Sequence, residues 1–276
     1  MPTTTNGEVS LYYEVFGSDG DPVLLLVNGL GSQCINFKEE LCRMFVAEGF
    51  RVVRFDNRDV GLSSHLKGGP KYTVDDMAAD GFAVLDAVGA AQAHIAGWSM
   101  GGMIVQAMAI AHPERVLSMT SVMSAPGPIP GERDADVLAA FNAPPATTRD
   151  EAAERHLAGL RAWGSPAFYD VDRITADAHA AFDRCWDPEG RARQAMAVGS
   201  SPSRVEALKS LRVPTLVIHG DADRLVPPEA GRMTAEVIPG ARLEMVEGMG
   251  HDYPPQHWPR MVELITDHAR SAVTAG

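Results

Sequence analysis

The sequence predicts an α/β protein built on a mostly parallel sheet. The chain has 276 residues, enough for one large domain with a sizeable core. Short apolar runs alternate with helical patterns along its first half, and the run PVLLLV at 22–27 is apolar without a break, as in a strand buried on both faces. Strands interleaved with helices are joined by right-handed crossovers, which makes the sheet parallel. Ligands bind such sheets at the carboxyl ends of the strands.

The first half of the chain supplies most of the predicted elements. Strands are predicted at 9–17, 22–29, 51–56, 93–97 and 116–124. Helices are predicted at 37–50, where Leu41, Phe45 and Val46 share one side, at 73–89, closed by Gly89, and at 100–116.

The alternation stops near Ser124 and resumes about eighty residues later. APGPIPG breaks regular structure, and the following stretch is rich in Ala, Arg and Asp, with helical patterns at 150–163 and 172–186. A short helix, the strand TLVIHG at 215–220, a polar loop, a last strand near 241–247 and a terminal helix beginning near Pro259 then complete the pattern. We therefore expect a core in two parts, 1–125 and 206–276, separated by a helical insertion at 126–205.

Charge and composition exclude several classes of partner. Asp and Glu number 36 against 24 Lys and Arg, and the net charge of −12 repels a nucleic-acid backbone or an anionic membrane surface. The first ten residues have neither the basic start nor the apolar core of a secretory signal, and no stretch approaches the roughly 20 apolar residues that span a bilayer. Three cysteines without paired or metal-ligand spacing suit a reducing compartment, so a cytoplasmic protein is predicted. The sequence gives no indication of oligomeric state.

The stretch AGWSMGGM at 96–103 contains the first candidate catalytic residue. Gly97, Ser99 and Gly101 form G-x-S-x-G between a predicted strand and a predicted helix, the context of a nucleophile elbow. Small residues around such a serine let strand and helix approach, and the bend pushes the serine Oγ out of the sheet. The helix start also directs the N–H of Met100 towards negative charge on a bound carbonyl oxygen.

A serine nucleophile needs a base, and the base needs an orienting acceptor. His251 lies in a glycine turn after the last predicted strand, and Asp223 lies in the loop after TLVIHG. The order Ser99, Asp223, His251 is that expected for this strand–turn–helix context. Asp221 is the competing acid, although its position directly after a glycine favours a role in bracing the turn. Weaker alternatives are Glu247 and Asp252 for the acid and His257 for the base.

A metal site is the other interpretation of the same loop. His219, Asp221 and Asp223 stand at alternate positions, but the sequence offers no second ligand cluster. We expect no metal and no cofactor.

Together these motifs resemble the α/β-hydrolase superfamily over nearly the whole chain. The N-terminal hairpin, LLLVNGLG, RVVRFDNRDVGLSS, AGWSMGG, TLVIHGDADRLVP and GMGH occur in the order typical of that superfamily. Asn28 replaces the histidine that usually opens its oxyanion loop, and Asp59 stands where glycine is frequent. With GMGH and the SMGGMIVQ helix, the Asp59 variant looks similar to the esterase branch that contains the aclacinomycin methylesterases.

The resemblance implies further site residues. The N–H groups of Leu30 and Met100 would form the oxyanion hole, and the helical insertion would be a cap that roofs a mostly apolar pocket. Trp98, Trp163 and Trp186 are the candidate substrate-binding residues; the alternative is that such aromatic residues only pack the cap against the core.

These residues predict a serine hydrolase that cleaves a carboxylic ester through an acyl-enzyme intermediate. The resemblance implies a methyl ester of a bulky, polycyclic acid; a lactone or a small aliphatic ester is the alternative. The same triad serves carbon–carbon bond hydrolases and cofactor-free perhydrolases or haloperoxidases, and the fold also serves as a small-molecule receptor with little turnover.

Overall fold

An eight-stranded sheet forms the centre of the computed structural model, which describes residues 1–69 and 71–274. The strands are β1 (Thr3–Asn6), β2 (Val9–Phe16), β3 (Val23–Val27), β4 (Arg51–Phe55), β5 (Ala93–Trp98), β6 (Val116–Val122), β7 (Thr215–Gly220) and β8 (Arg242–Val246). Their spatial order is β1-β2-β4-β3-β5-β6-β7-β8. The first two strands are antiparallel to their neighbours, and the other pairs are parallel. The predicted α/β class with a mostly parallel sheet is confirmed.

Helices cover both faces of this sheet. On one face lie α1 (Glu39–Ala47) and α10 (Trp258–Thr274); on the other lie α2 (Val74–Ala87), α3 (Met100–Ala111), α8 (Val205–Leu208) and α9 (Pro228–Val237). Successive residues of β3 alternate between the two cores: Leu24 and Leu26 pack with α1 and α10, and Leu25 packs with α2 and α3. This two-sided burial is why PVLLLV has no polar residue.

Four further helices lie between β6 and β7. They are α4 (Ala135–Phe141), α5 (Arg149–Trp163), α6 (Val171–Arg184) and α7 (Pro188–Ser200), and α5 packs against α6. Thr148 caps α5, because its side chain accepts the N–H of Glu151 while the Glu151 carboxylate returns to the Thr148 N–H. No strand lies between residues 126 and 205, all of which the structure describes.

One predicted helix is shorter in the structure, and one helix outside the insertion was not predicted. The helix predicted at 100–116 ends at Ala111, because Pro113 starts a separate 3₁₀ turn before β6. The polar loop predicted directly after β7, at 221–227, is a loop in the structure, and α9, which begins at Pro228, has no counterpart in the sequence prediction. Its buried residues, Ala230, Gly231 and Thr234, are small, so the apolar periodicity that marks a helix is weak there.

No helix among the described residues is long and apolar enough to cross a membrane. Positions 275 and 276 of the expected second core segment lie outside the described residues.

Candidate active site

Ser99 occupies a strained turn between β5 and α3. Its φ is 57° and its ψ is −118°, a region that side chains rarely adopt. A Cβ on Gly97 would lie 2.1 Å from the Gly101 carbonyl oxygen, and a Cβ on Gly101 would lie 2.1 Å from the Val27 carbonyl oxygen. Only glycine at both positions allows β3, β5 and α3 to meet at this bend.

Main-chain and side-chain hydrogen bonds hold the turn in place. The Ser99 N–H donates to the Val122 carbonyl at 2.9 Å, which continues the pairing of β5 with β6. The Ser99 carbonyl accepts the Gly102 N–H at 2.9 Å and the Ser124 hydroxyl at 2.7 Å. With its main chain fixed, the half-buried Ser99 presents its Oγ at the carboxyl end of the sheet.

Ser99, His251 and Asp223 form one chain of hydrogen bonds. His251 Nε2 lies 3.0 Å from Ser99 Oγ, and His251 Nδ1 lies 2.7 Å from Asp223 Oδ2. Asp223 Oδ1 accepts the N–H groups of Leu225 at 2.9 Å and Val226 at 2.8 Å. Because the carboxylate only accepts, the ring proton sits on Nδ1 and Nε2 is free to accept the serine proton.

The two aspartates of the loop after β7, Asp221 and Asp223, have different hydrogen-bond partners. Asp221 Oδ1 accepts the Gly248 N–H at 2.7 Å, so Asp221 braces the turn after β8. His219 Nε2 donates to the Val226 carbonyl at 2.8 Å, and burial lowers the pKa of its imidazole. A neutral His219 thus supports the aspartate loop, and the alternating His-Asp-Asp pattern brings together no set of metal ligands.

The remaining alternatives lie away from this chain of hydrogen bonds. His257 is buried with its ring centroid 5.2 Å from that of Phe168, and burial lowers the pKa of its imidazole. Glu247 is exposed at the surface.

The loop after β3 runs directly against the elbow. A Cβ on Gly29 would lie 3.3 Å from Ser99 Cβ, a tight contact that shows how closely the loop approaches the nucleophile. Asn28 Nδ2 donates to the Gln33 carbonyl at 3.2 Å, and Asn57 Nδ2 donates to the Asn28 carbonyl at 3.2 Å. Asn28 therefore braces the loop from inside.

The N–H groups that would form an oxyanion hole belong to Leu30, in the loop after β3, and to Met100, at the start of α3. Leu30 follows Gly29 in the loop, and Met100 is the first residue of α3, where a helical N–H has no intrahelical acceptor. The next N–H, of Gly31, donates to the Gln194 side chain at 2.8 Å, and Gln194 donates to the Arg58 carbonyl at 2.8 Å. A buried glutamine of α7 thus ties the loop to the helical insertion.

Residues at the end of α5 and just after it form hydrogen bonds with the histidine loop, residues 250–252. The His251 N–H donates to the Trp163 carbonyl at 2.6 Å. Asp252 Oδ1 accepts the Ser165 N–H at 2.8 Å and the Ser165 hydroxyl at 2.5 Å, while the Ser165 Oγ accepts the Gly250 N–H at 3.0 Å. Burial raises the pKa of the Asp252 carboxyl. We call these contacts the histidine clamp.

Comparison with known proteins identifies the family. The protein-family model described as alpha/beta hydrolase fold matches residues 22–256 of the sequence. The chain belongs to the alpha/beta hydrolase family. It is 31% identical to the rhodomycin D methylesterases DnrP of Streptomyces peucetius and DauP of Streptomyces sp. (strain C5), with 99% of each chain covered in both cases. The crystal structure of an enol-lactonase from Burkholderia xenovorans LB400 shares the fold at a TM-score of 0.80 and 23% identity, covering 98% of this chain and 100% of that one.

The three tryptophans named from the sequence have different surroundings in this alpha/beta hydrolase. Trp98 is 2% exposed and packs against Phe37 and Tyr253, with ring centroids 4.8 and 5.6 Å apart. Trp163 is half-buried, and its ring lies near Phe141 at 6.5 Å. Trp186 is 39% exposed, and its indole N–H donates to the Ala146 carbonyl at 3.1 Å. The ring partners of Trp98 belong to the core and not to the helical insertion, so Trp98 is a core-packing residue beneath the elbow.

One group of potential metal ligands occurs within residues 1–69 and 71–274. The ligand atoms of Asp59, His65 and Asp187 lie within 4.8 Å of one another. Arg193 already donates to Asp59 at 2.8 Å and to Asp187 at 2.5 Å, and His65 Nδ1 lies 2.7 Å from Asp187. The Arg193 guanidinium group occupies the place that a metal cation would take between the two carboxylates, so these residues form an ion-pair network.

Sequence reasoning missed the residues of the helical insertion that hold the site. Ser165 has no motif and follows an unremarkable glycine, and Gln194 is one polar residue in a polar helix. Asp252 carried a weak signal as a carboxylate beside the histidine.

Proposed function

We propose that this alpha/beta hydrolase hydrolyses a carboxylic ester through an acyl-enzyme formed on Ser99. The observation that carries the proposal is the continuous path from Ser99 Oγ through His251 to Asp223, at 3.0 and 2.7 Å. Full-length relatives named as methylesterases support an ester substrate over other acyl compounds. The partner is a small molecule that carries an ester.

Each residue then has a defined role in the reaction. Ser99 Oγ attacks the ester carbonyl carbon while its proton passes to His251 Nε2. The carbon–oxygen bond to the alcohol breaks, and the His251 imidazolium returns the proton to the leaving alkoxide. Water, deprotonated by His251, cleaves the acyl-enzyme and releases the acid and free Ser99. Asp223 holds the ring tautomer and stabilises the imidazolium.

The oxyanion of each tetrahedral intermediate is held by main-chain donors. The N–H groups of Leu30 and Met100 are assigned to this role, because the loop after Gly29 and the start of α3 both border Ser99. The positive end of the α3 dipole adds to the stabilisation.

The helical insertion, taken as residues 126–205, forms the cap. Its helices α4–α7 stand between β6 and β7, and its contacts with the oxyanion loop and the histidine loop support a role in shaping the pocket. Trp163 and Trp186 are the candidate pocket aromatics, and Trp98 supports the elbow from the core. A methyl ester of a polycyclic acid is the substrate class suggested by the methylesterase relatives.

The test compares ester turnover with covalent labelling. Methyl and p-nitrophenyl esters of increasing acyl length are assayed with the wild type, with Ser99→Ala, and with Ser210→Ala, an exposed serine that donates only within its own turn. We expect turnover and stoichiometric phosphonate labelling in the wild type and in Ser210→Ala, and loss of both in Ser99→Ala with unchanged circular dichroism. Undiminished turnover by Ser99→Ala would exclude Ser99 as nucleophile.

Parallel assays separate the other chemistries of the same triad. Hydrolysis of vinylogous diketones with no ester turnover would favour a carbon–carbon bond hydrolase, and peracid formation from acetate and peroxide would favour a perhydrolase. Tight ligand binding with neither turnover nor labelling would favour a receptor.

A further inference from the structure

A cavity of about 120 Å³ lies between the oxyanion loop, the loop after β4 and the cap helices. This volume is far more than the roughly 10–15 Å³ that one water molecule needs, so a small organic group fits. Asp59, Arg155, Asp187 and Arg191 are the charged residues of its lining, and His65 and Gly31 also line it.

Two of the lining cations have no carboxylate of the chain beside them. Among residues 1–69 and 71–274, no carboxylate oxygen lies within ion-pair distance of Arg155 or Arg191. Arg155 donates to the Pro144 carbonyl at 2.7 Å, and Arg191 donates to the Phe141 carbonyl at 3.3 Å and stacks on the Phe141 ring at 4.5 Å. Each guanidinium has five N–H donors, so most of this capacity is unused by the protein.

The two acidic lining residues share one further cation. Arg193 pairs with both Asp59 and Asp187. Together with Arg155 and Arg191, three guanidinium groups stand against two carboxylates, which leaves one net positive charge at the cavity, although the chain as a whole carries −12. Burial and the nearby charge of Arg155 lower the pKa of Arg191, and burial lowers that of Arg155. An anion placed between the two would offset both effects.

The cavity adjoins the loop assigned to the reacting carbonyl. Gly31 lines it and directly follows Leu30 in the chain. The aliphatic stem of Arg191 packs on Gly31, because a Cβ there would lie 3.1 to 3.3 Å from three of the stem carbons. A group bound by Arg191 is thus beside the oxyanion loop, within reach of one end of a bound ester.

We propose that Arg155 and Arg191 bind a carboxylate carried by the ester substrate itself. The proposal rests on the ester hydrolase function and narrows it to esters whose acyl part ends in a second, ionised carboxyl group. Guanidinium groups bind carboxylates through paired N–H···O bonds, and the partial burial of both arginines strengthens such bonds. The substrate is then held at two points, the carboxylate by the cap and the ester carbonyl by the core.

The test uses monomethyl esters of glutaric, adipic, pimelic and suberic acids, each compared with the methyl alkanoate of equal chain length. Turnover is followed by proton release in a pH-stat. We expect kcat/KM for the best half-ester to exceed that of its uncharged counterpart by about tenfold or more, the value of a charge-assisted contact. This ratio falls towards one in Arg155→Met and in Arg191→Met, which keep most of the aliphatic stem.

Arg149→Met is the matched control on α5, because Arg149 is exposed and pairs with Asp183. It leaves the ratio unchanged. A second measurement is calorimetric binding of monomethyl adipate to Ser99→Ala, with and without Arg191→Met. We expect binding that weakens about tenfold or more when Arg191 is replaced.

The outcomes separate this proposal from the ester hydrolase function. If the methyl alkanoates are hydrolysed but no half-ester is preferred, or if both arginine variants slow the two substrate classes equally, the carboxylate subsite is wrong and the hydrolase stands. If no ester is hydrolysed and Ser99 is not labelled, the function fails, and the titration with monomethyl adipate alone decides the subsite. Monomethyl adipate that binds equally well with and without Arg191→Met overturns the proposal in either case.

Discussion

Asp223→Asn removes one charge and leaves the volume of the side chain nearly unchanged. Asp223 Oδ1 accepts two main-chain N–H groups, and Oδ2 faces His251 Nδ1. The asparagine must turn its carbonyl oxygen to the two N–H groups, which places its NH₂ against Nδ1. The histidine ring is then forced to carry its proton on Nε2, where it cannot take the Ser99 proton.

The size of the effect follows from the alternative amide orientation. Turning the amide round restores an acceptor for Nδ1–H but leaves the N–H groups of Leu225 and Val226 without a partner, at about 1–3 kcal/mol each. The productive orientation is therefore disfavoured by about 2–6 kcal/mol, a factor of roughly 30 to 2 × 10⁴. Loss of the negative charge that stabilises the imidazolium adds to this, so kcat is expected to fall about 10³- to 10⁴-fold.

The assay is kcat for a short methyl or p-nitrophenyl ester at pH 7 to 8, with Tm measured beside it. Asp221→Asn is the matched control, because an amide oxygen at that position still accepts the Gly248 N–H. We expect its kcat to stay within about threefold of the wild type. More than a tenth of wild-type kcat in Asp223→Asn, or a larger loss in Asp221→Asn, would refute the reasoning.

Three other predictions concern the histidine clamp, the pH dependence of folding and the elbow. Ser165→Ala removes the hydroxyl group that donates to Asp252. Because the histidine loop is then held less firmly, kcat should fall about tenfold while KM stays nearly unchanged. An equal change in KM would indicate an effect on the substrate pocket instead. Burial lowers the pKa of His94 from 6.5 to about 4, so the unfolded chain takes up its proton first as the pH falls. Wild-type stability should drop by about 3 kcal/mol between pH 6.5 and 4 through this group and no further below, and urea unfolding of His94→Gln should lack that part of the slope. Gly101→Ala puts a Cβ 2.1 Å from a main-chain oxygen of β3, so it should prevent folding or lower the free energy of unfolding by more than about 3 kcal/mol. Gly199 lies in α7, and a Cβ there would have no atom within 4 Å. Gly199→Ala should therefore raise the free energy of unfolding by about 0.5–1 kcal/mol, measured by thermal unfolding.

The sequence by itself determined the features that depend on neighbouring residues. The glycine spacing around Ser99 predicts the strand–turn–helix bend, because backbone sterics act over a few residues. The unbroken apolar run at β3 predicts two-sided burial, since strand side chains alternate between faces. Where the local signal was weak, as at α9 with its small buried residues, the sequence led to no helix prediction.

The tertiary structure decided everything that joins distant parts of the chain. Asp221 and Asp223 are two residues apart and chemically alike, yet Asp221 accepts the Gly248 N–H and Asp223 faces His251, because the loops after β7 and β8 pack against each other. The histidine clamp joins the residue after Gly164 to the loop of His251, and one cavity brings Arg155 of α5 near Arg191 of α7. No local period or motif encodes such contacts, since they are set by which buried surfaces of separate elements fit together.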